Sequence, residues 1–88
     1  MKVEFQRSFL KDLQLIKERH ILNRVRDKIE EVEKANSSSD ISNLKKLKGG
    51  GNYYRIRIGD HRLGIVIESE SIKFVRFLNR KDIYKYFP

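Results

Sequence analysis

Cysteine is absent from this 88-residue chain, so neither a disulfide nor a thiolate metal site can form. Two histidines, His20 and His61, are too few for a zinc centre. No apolar run approaches the roughly 20 residues that cross a bilayer. Met1–Arg7 lacks the apolar centre of a secretory leader. The expectation is a cytoplasmic protein with no membrane partner, no metal and no cofactor. Glycine is sparse, five residues in all, and none forms the Gly-x-x-x-x-Gly-Lys of a P-loop. Gly49–Gly51 reads as a flexible joint. A chain this short buries roughly 60–65% of its unfolded surface, which allows one core and one domain over residues 1–88.

Positive charge is in excess, and it is unevenly spread. Residues 1–42 hold nine Lys/Arg and eight Asp/Glu, a net of +1. Residues 43–88 hold eleven and four, a net of +7. Charge placed this way is the footprint of a polyanion binder, although a merely soluble basic surface fits the charge alone equally well.

The second half also carries the clearest local pattern. Tyr53–Ile58 and His61–Glu68 alternate with period 2 and flank Gly59-Asp60, which suits a two-residue type II′ hairpin. In that register Ile58 faces His61, Arg57 faces Arg62, Ile56 faces Leu63, Arg55 faces Gly64 and Tyr54 faces Ile65. Arg55, Arg57 and Arg62 then share one face and the aliphatic residues the other. Like charges directly opposite each other destabilise a sheet, so this face is expected to meet an anion. Gly64 opposite Arg55 marks either strand curvature or room for a ligand backbone.

Elsewhere the elements are simpler. Met1–Phe5 reads as a short strand. Phe9, Leu13 and Ile16, with Leu10, form one helical stripe; Ile21, Val25, Ile29 and Val32, with Leu22, form a second. Lys17–His20 is the joint, and an antiparallel helix pair buries more than one bent helix. Asn36–Asp40 is a loop. Ile41–Lys48 is amphipathic and basic, with Leu44 and Leu47 inward and Lys45-Lys46 at a solvated helix end. Ile72–Leu78 is a strand whose Phe74 and Phe77 fall on opposite faces by simple alternation, so both its faces are expected to be covered. Asn79–Pro88 is a short helix or tail anchored by Ile83 and Phe87. The order β-α-α-β-β-β plus tail gives an α+β fold: a mostly antiparallel sheet of about four strands, one face packed on two N-terminal helices, the other left open with its arginines.

The element order, the run Tyr-Arg-Ile-Arg-Ile-Gly-Asp-His-Arg-Leu at 54–63 and the ending Phe-Leu-Asn-Arg-Lys-Asp-Ile-Tyr at 77–84 resemble the RelE/ParE toxin superfamily, the toxin halves of bacterial type II toxin–antitoxin pairs. The resemblance spans essentially the whole chain. It implies an endoribonuclease that cuts mRNA in the ribosomal A site without a metal: the ribose 2′-hydroxyl attacks the adjacent phosphate, leaving a 2′,3′-cyclic phosphate and a 5′-hydroxyl. The partners it implies are the ribosome, mRNA and a cognate antitoxin. Members of the ParE type share the fold and poison DNA gyrase instead. A decayed toxin that only binds nucleic acid is a third reading.

Position by position, the resemblance nominates Arg55, Arg57, Arg62, Arg80 and Tyr84 as catalytic. Fixed guanidiniums suit the charge that builds on phosphoryl oxygens during in-line transfer. Tyr84 either stacks on a splayed base or packs the tail on the sheet. Lys45, Lys46, Lys48 and Lys81 are expected to hold the RNA backbone. The chain departs from the family at the general base. Both strand positions are arginine, a poor base, and Asn79 stands where many relatives have histidine. His61 has a suitable ordinary pKa, but its register puts it on the aliphatic side.

Overall fold

The computed structural model describes residues 1–88. The chain runs β1 (Lys2–Phe5), α1 (Arg7–Gln14), α2 (Arg19–Lys34), a single 3-10 turn (Ser38–Asp40), β2 (Leu44–Lys46), β3 (Tyr53–Ile58), β4 (His61–Glu68), β5 (Ser71–Asn79) and α3 (Ile83–Tyr86). The strands form one sheet in the order β1-β5-β4-β3-β2. Only β1 with β5 is parallel; the remaining pairs are antiparallel. No helix is long and apolar enough to cross a membrane.

The expected α+β fold is what forms, with one strand more than the sequence suggested. Leu44–Lys46 is an edge strand rather than a helix end, with Leu44 opposite Ile56, Lys45 opposite Arg55 and Lys46 opposite Tyr54. Three residues are too few to show a period, and Leu44 and Leu47 happen to sit at helical spacing. Pairing with β3 decides the conformation, as tertiary context does for short segments. Asn43 enters the strand at φ 63°, a left-handed conformation that asparagine tolerates.

The core lies between the sheet and the two helices. Phe9 of α1 and Val25 and Val32 of α2 pack on Ile56, Ile58, Leu63, Ile65, Ile72, Phe74 and Phe77. Phe74 and Phe77 therefore share one face, against the alternation read from sequence. The reason is a bulge. Gly64 pairs with Arg76 but Ile65 pairs with Phe74, so Val75 is an extra residue in β5. One inserted residue shifts the phase of the side chains that follow.

Helix α1 clamps that bulge. β1 ends at Phe5, and from there α1 takes over the open edge of β5. The Gln6 N–H donates to Phe74 O at 2.9 Å. Ser8 Oγ donates to Val75 O at 2.6 Å. Asp12, one turn after Ser8, accepts from the Phe77 N–H at 2.9 Å and from Arg76 Nε and Nη2 at 2.8 and 3.1 Å. The hydrogen bond to Asp12 raises the Arg76 pKa against the opposing effect of burial.

A second ionic anchor holds the segment before β2. Lys28 is buried in α2, yet its Nζ donates to Glu31 Oε1 at 2.9 Å and to the Ser42 hydroxyl at 2.8 Å. The Glu31 carboxylate accepts the Ser42 N–H at 2.7 Å. Burial pushes the Glu31 carboxyl up, but the Ser42 N–H and Lys28 outweigh it and leave the pKa below the ordinary value.

Candidate functional site

The β3–β4 hairpin has the register read from sequence: Ile58–His61, Arg57–Arg62, Ile56–Leu63, Arg55–Gly64 and Tyr54–Ile65. Gly59 takes φ +58° while Asp60 keeps a negative φ, the pattern of a II′ turn. A β-carbon at Gly59 would be strained by the backbone and would also meet Arg24 Nη1 at 3.0 Å. Leu63 and Ile65 point into the core, so Arg55, Arg57 and Arg62 project from the opposite face.

The arginine face is electrostatically strained. Burial lowers the Arg62 pKa most, followed by repulsion from Arg55 and Arg57; Arg80 adds to this, and Tyr84 opposes it. The other four residues nominated as catalytic are thus within electrostatic reach of the Arg62 guanidinium. Arg62 stays cationic at any physiological pH. Its Nη1 folds back on the turn and donates to Gly59 O and His61 O, both at 2.9 Å. The Nε atoms of Arg55 and Arg62 are buried and have no acceptor. An unmet buried donor costs about 1–3 kcal/mol, and both of these sit on like-charged groups of one face.

Arg80 comes to the same region from the turn that follows β5. Its N–H donates to Asp60 O at 2.8 Å, which seats it at the hairpin tip. Asn79 Oδ1 accepts the Lys81 N–H at 2.9 Å; the amide shapes the turn into α3. Tyr84 on α3 is 61% exposed, its ring free on the surface.

A cavity of about 380 Å³ opens beside the arginines, lined by Lys45, Lys46, Leu47, Lys48, Arg55, Tyr84, Phe87 and Pro88. A shallower cleft of about 240 Å³ joins Asn43, Leu44 and Lys45 to Arg55 and Arg57. The fold therefore brings Lys45, Lys46 and Lys48 around the cavity that borders Arg55. Lys45 shares the face of its partner Arg55; Lys46 pairs with Tyr54 and belongs by parity to the other side. Lys81 is exposed and lines neither cavity. The largest cavity, about 460 Å³, lies at the far end of β4 around Glu68–Ser71, away from this cluster.

One feature differs from the sequence reading. The outer face is not fully open. Phe87 is buried and lies over Gly64, where a β-carbon would come within 2.7 Å of its ring. Tyr53 meets Phe87 edge-on, with centroids 5.7 Å apart. Gly64 thus makes room for the chain's own tail. A glycine inside an otherwise bulky strand, with an aromatic tail to follow, was the available signal. His61 is turned to the core side, as its register implied, its ring stacked on Phe77 at 4.9 Å and 12°. No group of three or more His, Cys, Asp or Glu is placed to hold a metal ion.

Comparison with known proteins bears on the whole chain. The family model described as the ParE toxin of the type II toxin–antitoxin system parDE matches residues 3–84. Toxin RelE3 of Methanocaldococcus jannaschii is 47% identical over 89 residues, covering 100% of both chains. A toxin chain in the crystal structure of a RelB–RelE antitoxin–toxin complex from Methanococcus jannaschii superposes with a TM-score of 0.80 at 44% identity, over 96% of this chain and 98% of that one. The crystal structure of YafQ from E. coli shares the fold, with a TM-score of 0.68 at 15% identity, over 94% of this chain and 97% of that one.

Proposed function

The chain belongs to the RelE/ParE superfamily and is a toxin of a type II toxin–antitoxin system; from that premise we propose that it is a ribosome-dependent endoribonuclease that cleaves mRNA in the A site without a metal ion. Residues 1–88 act as one toxin domain in the cytoplasm. The observation that carries the reading is the cluster around Arg62, with Arg55, Arg57, Arg80 and Tyr84 in electrostatic reach and two buried guanidinium donors unmet.

In this reading the 2′-hydroxyl oxygen attacks the adjacent phosphorus and loses its proton to solvent, the bond to the 5′-oxygen breaks, and that oxygen takes a proton from solvent as it leaves. Negative charge builds on the non-bridging oxygens. Guanidiniums already held in place stabilise it with little reorganisation, and their planar forks match a phosphate. Arg62, tied to the turn carbonyls, is the most rigidly held of them. Tyr84 supplies a stacking surface for a base. Lys45, Lys46 and Lys48 hold the strand through its phosphates and Lys81 extends that contact. Both strand positions that could supply a base are arginine and His61 faces the core, so charge stabilisation rather than proton abstraction carries the rate.

The partner of the neutralised state is a cognate antitoxin, by likeness to the archaeal relative, whose structure is that of a RelB–RelE antitoxin–toxin complex. Such an antitoxin covers the basic face. A second reading, gyrase poisoning, is favoured by the ParE description of the matching family model. Induced expression in a heterologous bacterium with 5′-end mapping separates the two. New ends inside translated codons, absent with Arg62→Ala, are expected. Growth arrest with DNA damage and no new ends establishes the gyrase reading instead, and soluble protein without arrest identifies a decayed toxin.

A further inference from the structure

The tip of the β3–β4 hairpin fixes more than its own closure. Arg62 Nη1 is held by Gly59 O and His61 O, and the Arg80 N–H is held by Asp60 O. The Arg62 guanidinium and the backbone of Arg80 thus take their positions from the carbonyls of three consecutive residues. Behind the tip, on the helix side, a cleft of about 330 Å³ separates it from the start of α2. Glu18, His20, Ile21 and Arg24 form one wall and Ile58–His61 the other. The hydrogen bonds of the first turns of α2 stay within the helix and its entry, and those of the tip go to Arg62 and Arg80. What reaches across is the Arg24 side chain, whose Nη1 lies against Gly59, 3.0 Å from the place a β-carbon would take.

We propose that Arg24 is a positioning residue, a strut from α2 that braces the Gly59–Asp60 turn and through it sets Arg62 and Arg80 at the reacting phosphate. The inference rests on the reading of those two arginines given above. The approach is made by one end of the guanidinium, with Cζ a further ångström back, at 4.0 Å from the place of that β-carbon. Glycine at position 59 lets it come that close. Arg24 sits on the helix side of the sheet, opposite the arginine face, so its effect on substrate passes through the turn. Small displacements of positioned groups are costly in catalysis, on the order of 10²-fold for about 1 Å.

Amide hydrogen exchange in Arg24→Ala, Arg24→Lys and Arg26→Ala tests the strut without reference to activity. Arg26 loses the same charge from the same helix but pairs only with its neighbour Asp27. In Arg24→Ala, exchange of the Arg80 N–H is expected to rise about tenfold. The Phe77 N–H, held by Asp12, should keep its rate. Lysine should restore part of the protection, and Arg26→Ala should change neither amide. In cleavage of translated mRNA, Arg24→Ala should lower kcat about tenfold with KM little changed. If both amides accelerate together, or neither does, Arg24 is no strut and the proposal is overturned. It is overturned too if the Arg80 amide loosens while kcat holds. If the amide loosens as expected but the wild-type protein cuts no mRNA, the brace stands and the nuclease reading falls.

Discussion

Arg62 and Arg76 lie on neighbouring strands of one small sheet, and the protein treats them in opposite ways. Arg76 meets Asp12 through two donors, and its pKa is raised. Arg62 is partly buried among Arg55, Arg57 and Arg80, and its pKa is lowered. At Arg76 every interaction closes within the fold, so the charge serves to fasten α1 to the bulge in β5. At Arg62 the fold supplies two carbonyls and otherwise leaves the guanidinium short of acceptors. A small protein that can pair one half-buried arginine in this way is able to pair another. Arg62, left short of acceptors, is the one that the proposed function assigns to the RNA phosphate.

The contrast is most directly broken by exchanging the fates of the two residues. Arg62→Ala should reduce mRNA cleavage by about 10²–10³-fold while leaving the denaturation midpoint unchanged or slightly higher, since a self-repelling charge is removed. Equal loss of activity and stability would mean Arg62 is another fastening residue. Asp12→Ala should do the reverse. It strands the Phe77 N–H and the Arg76 guanidinium together, and urea unfolding should show a loss of about 2–4 kcal/mol. Gly64→Ala brings a methyl group into the Phe87 ring and should cost about 1–3 kcal/mol as the tail is displaced, visible as loss of the Tyr53–Phe87 contact by NMR. The smallest effect concerns Glu31. Its folded pKa lies below the unfolded value, so its contribution is complete above the unfolded pKa of about 4.3 and is lost as pH falls through the folded value. Below about pH 4.3 the wild type should therefore lose stability faster than Glu31→Gln, and the two curves should be parallel at higher pH.

These two regions were also unequally legible in the sequence. The arginine hairpin was readable because it is local: period-2 alternation and a Gly-X turn fix the register of Arg57 and Arg62 with no knowledge of the rest. The Asp12–Arg76 clamp joins positions 64 residues apart, and nothing in the helical stripe around Phe9 marks Asp12 as buried. Lys28 was hidden for the same reason, as its partner Ser42 lies beyond the end of its helix. β2 was too short to show a period. The coverage of Gly64 by Phe87 needed the path of the tail, which α3 sets after the last strand.

The bulge at Val75 carries a lesson about how this chain tolerates insertion and deletion. Upstream of it β5 is in phase with Ile65 and Ile67; downstream it is in phase with Leu63. Everything that follows, from Phe77 on the inside to Arg80 at the hairpin tip, keeps its place because the extra residue is absorbed at the bulge and is not passed along the strand. Removing Val75 alone would leave Phe74, Arg76 and Phe77 in simple alternation opposite Ile65, Gly64 and Leu63, with Phe77 still inside, at the loss of the carbonyl that Ser8 holds. Removing one residue from a regular stretch of the strand would instead turn the remainder over. This strand therefore carries one residue of slack, and Val75 is where it can be taken up.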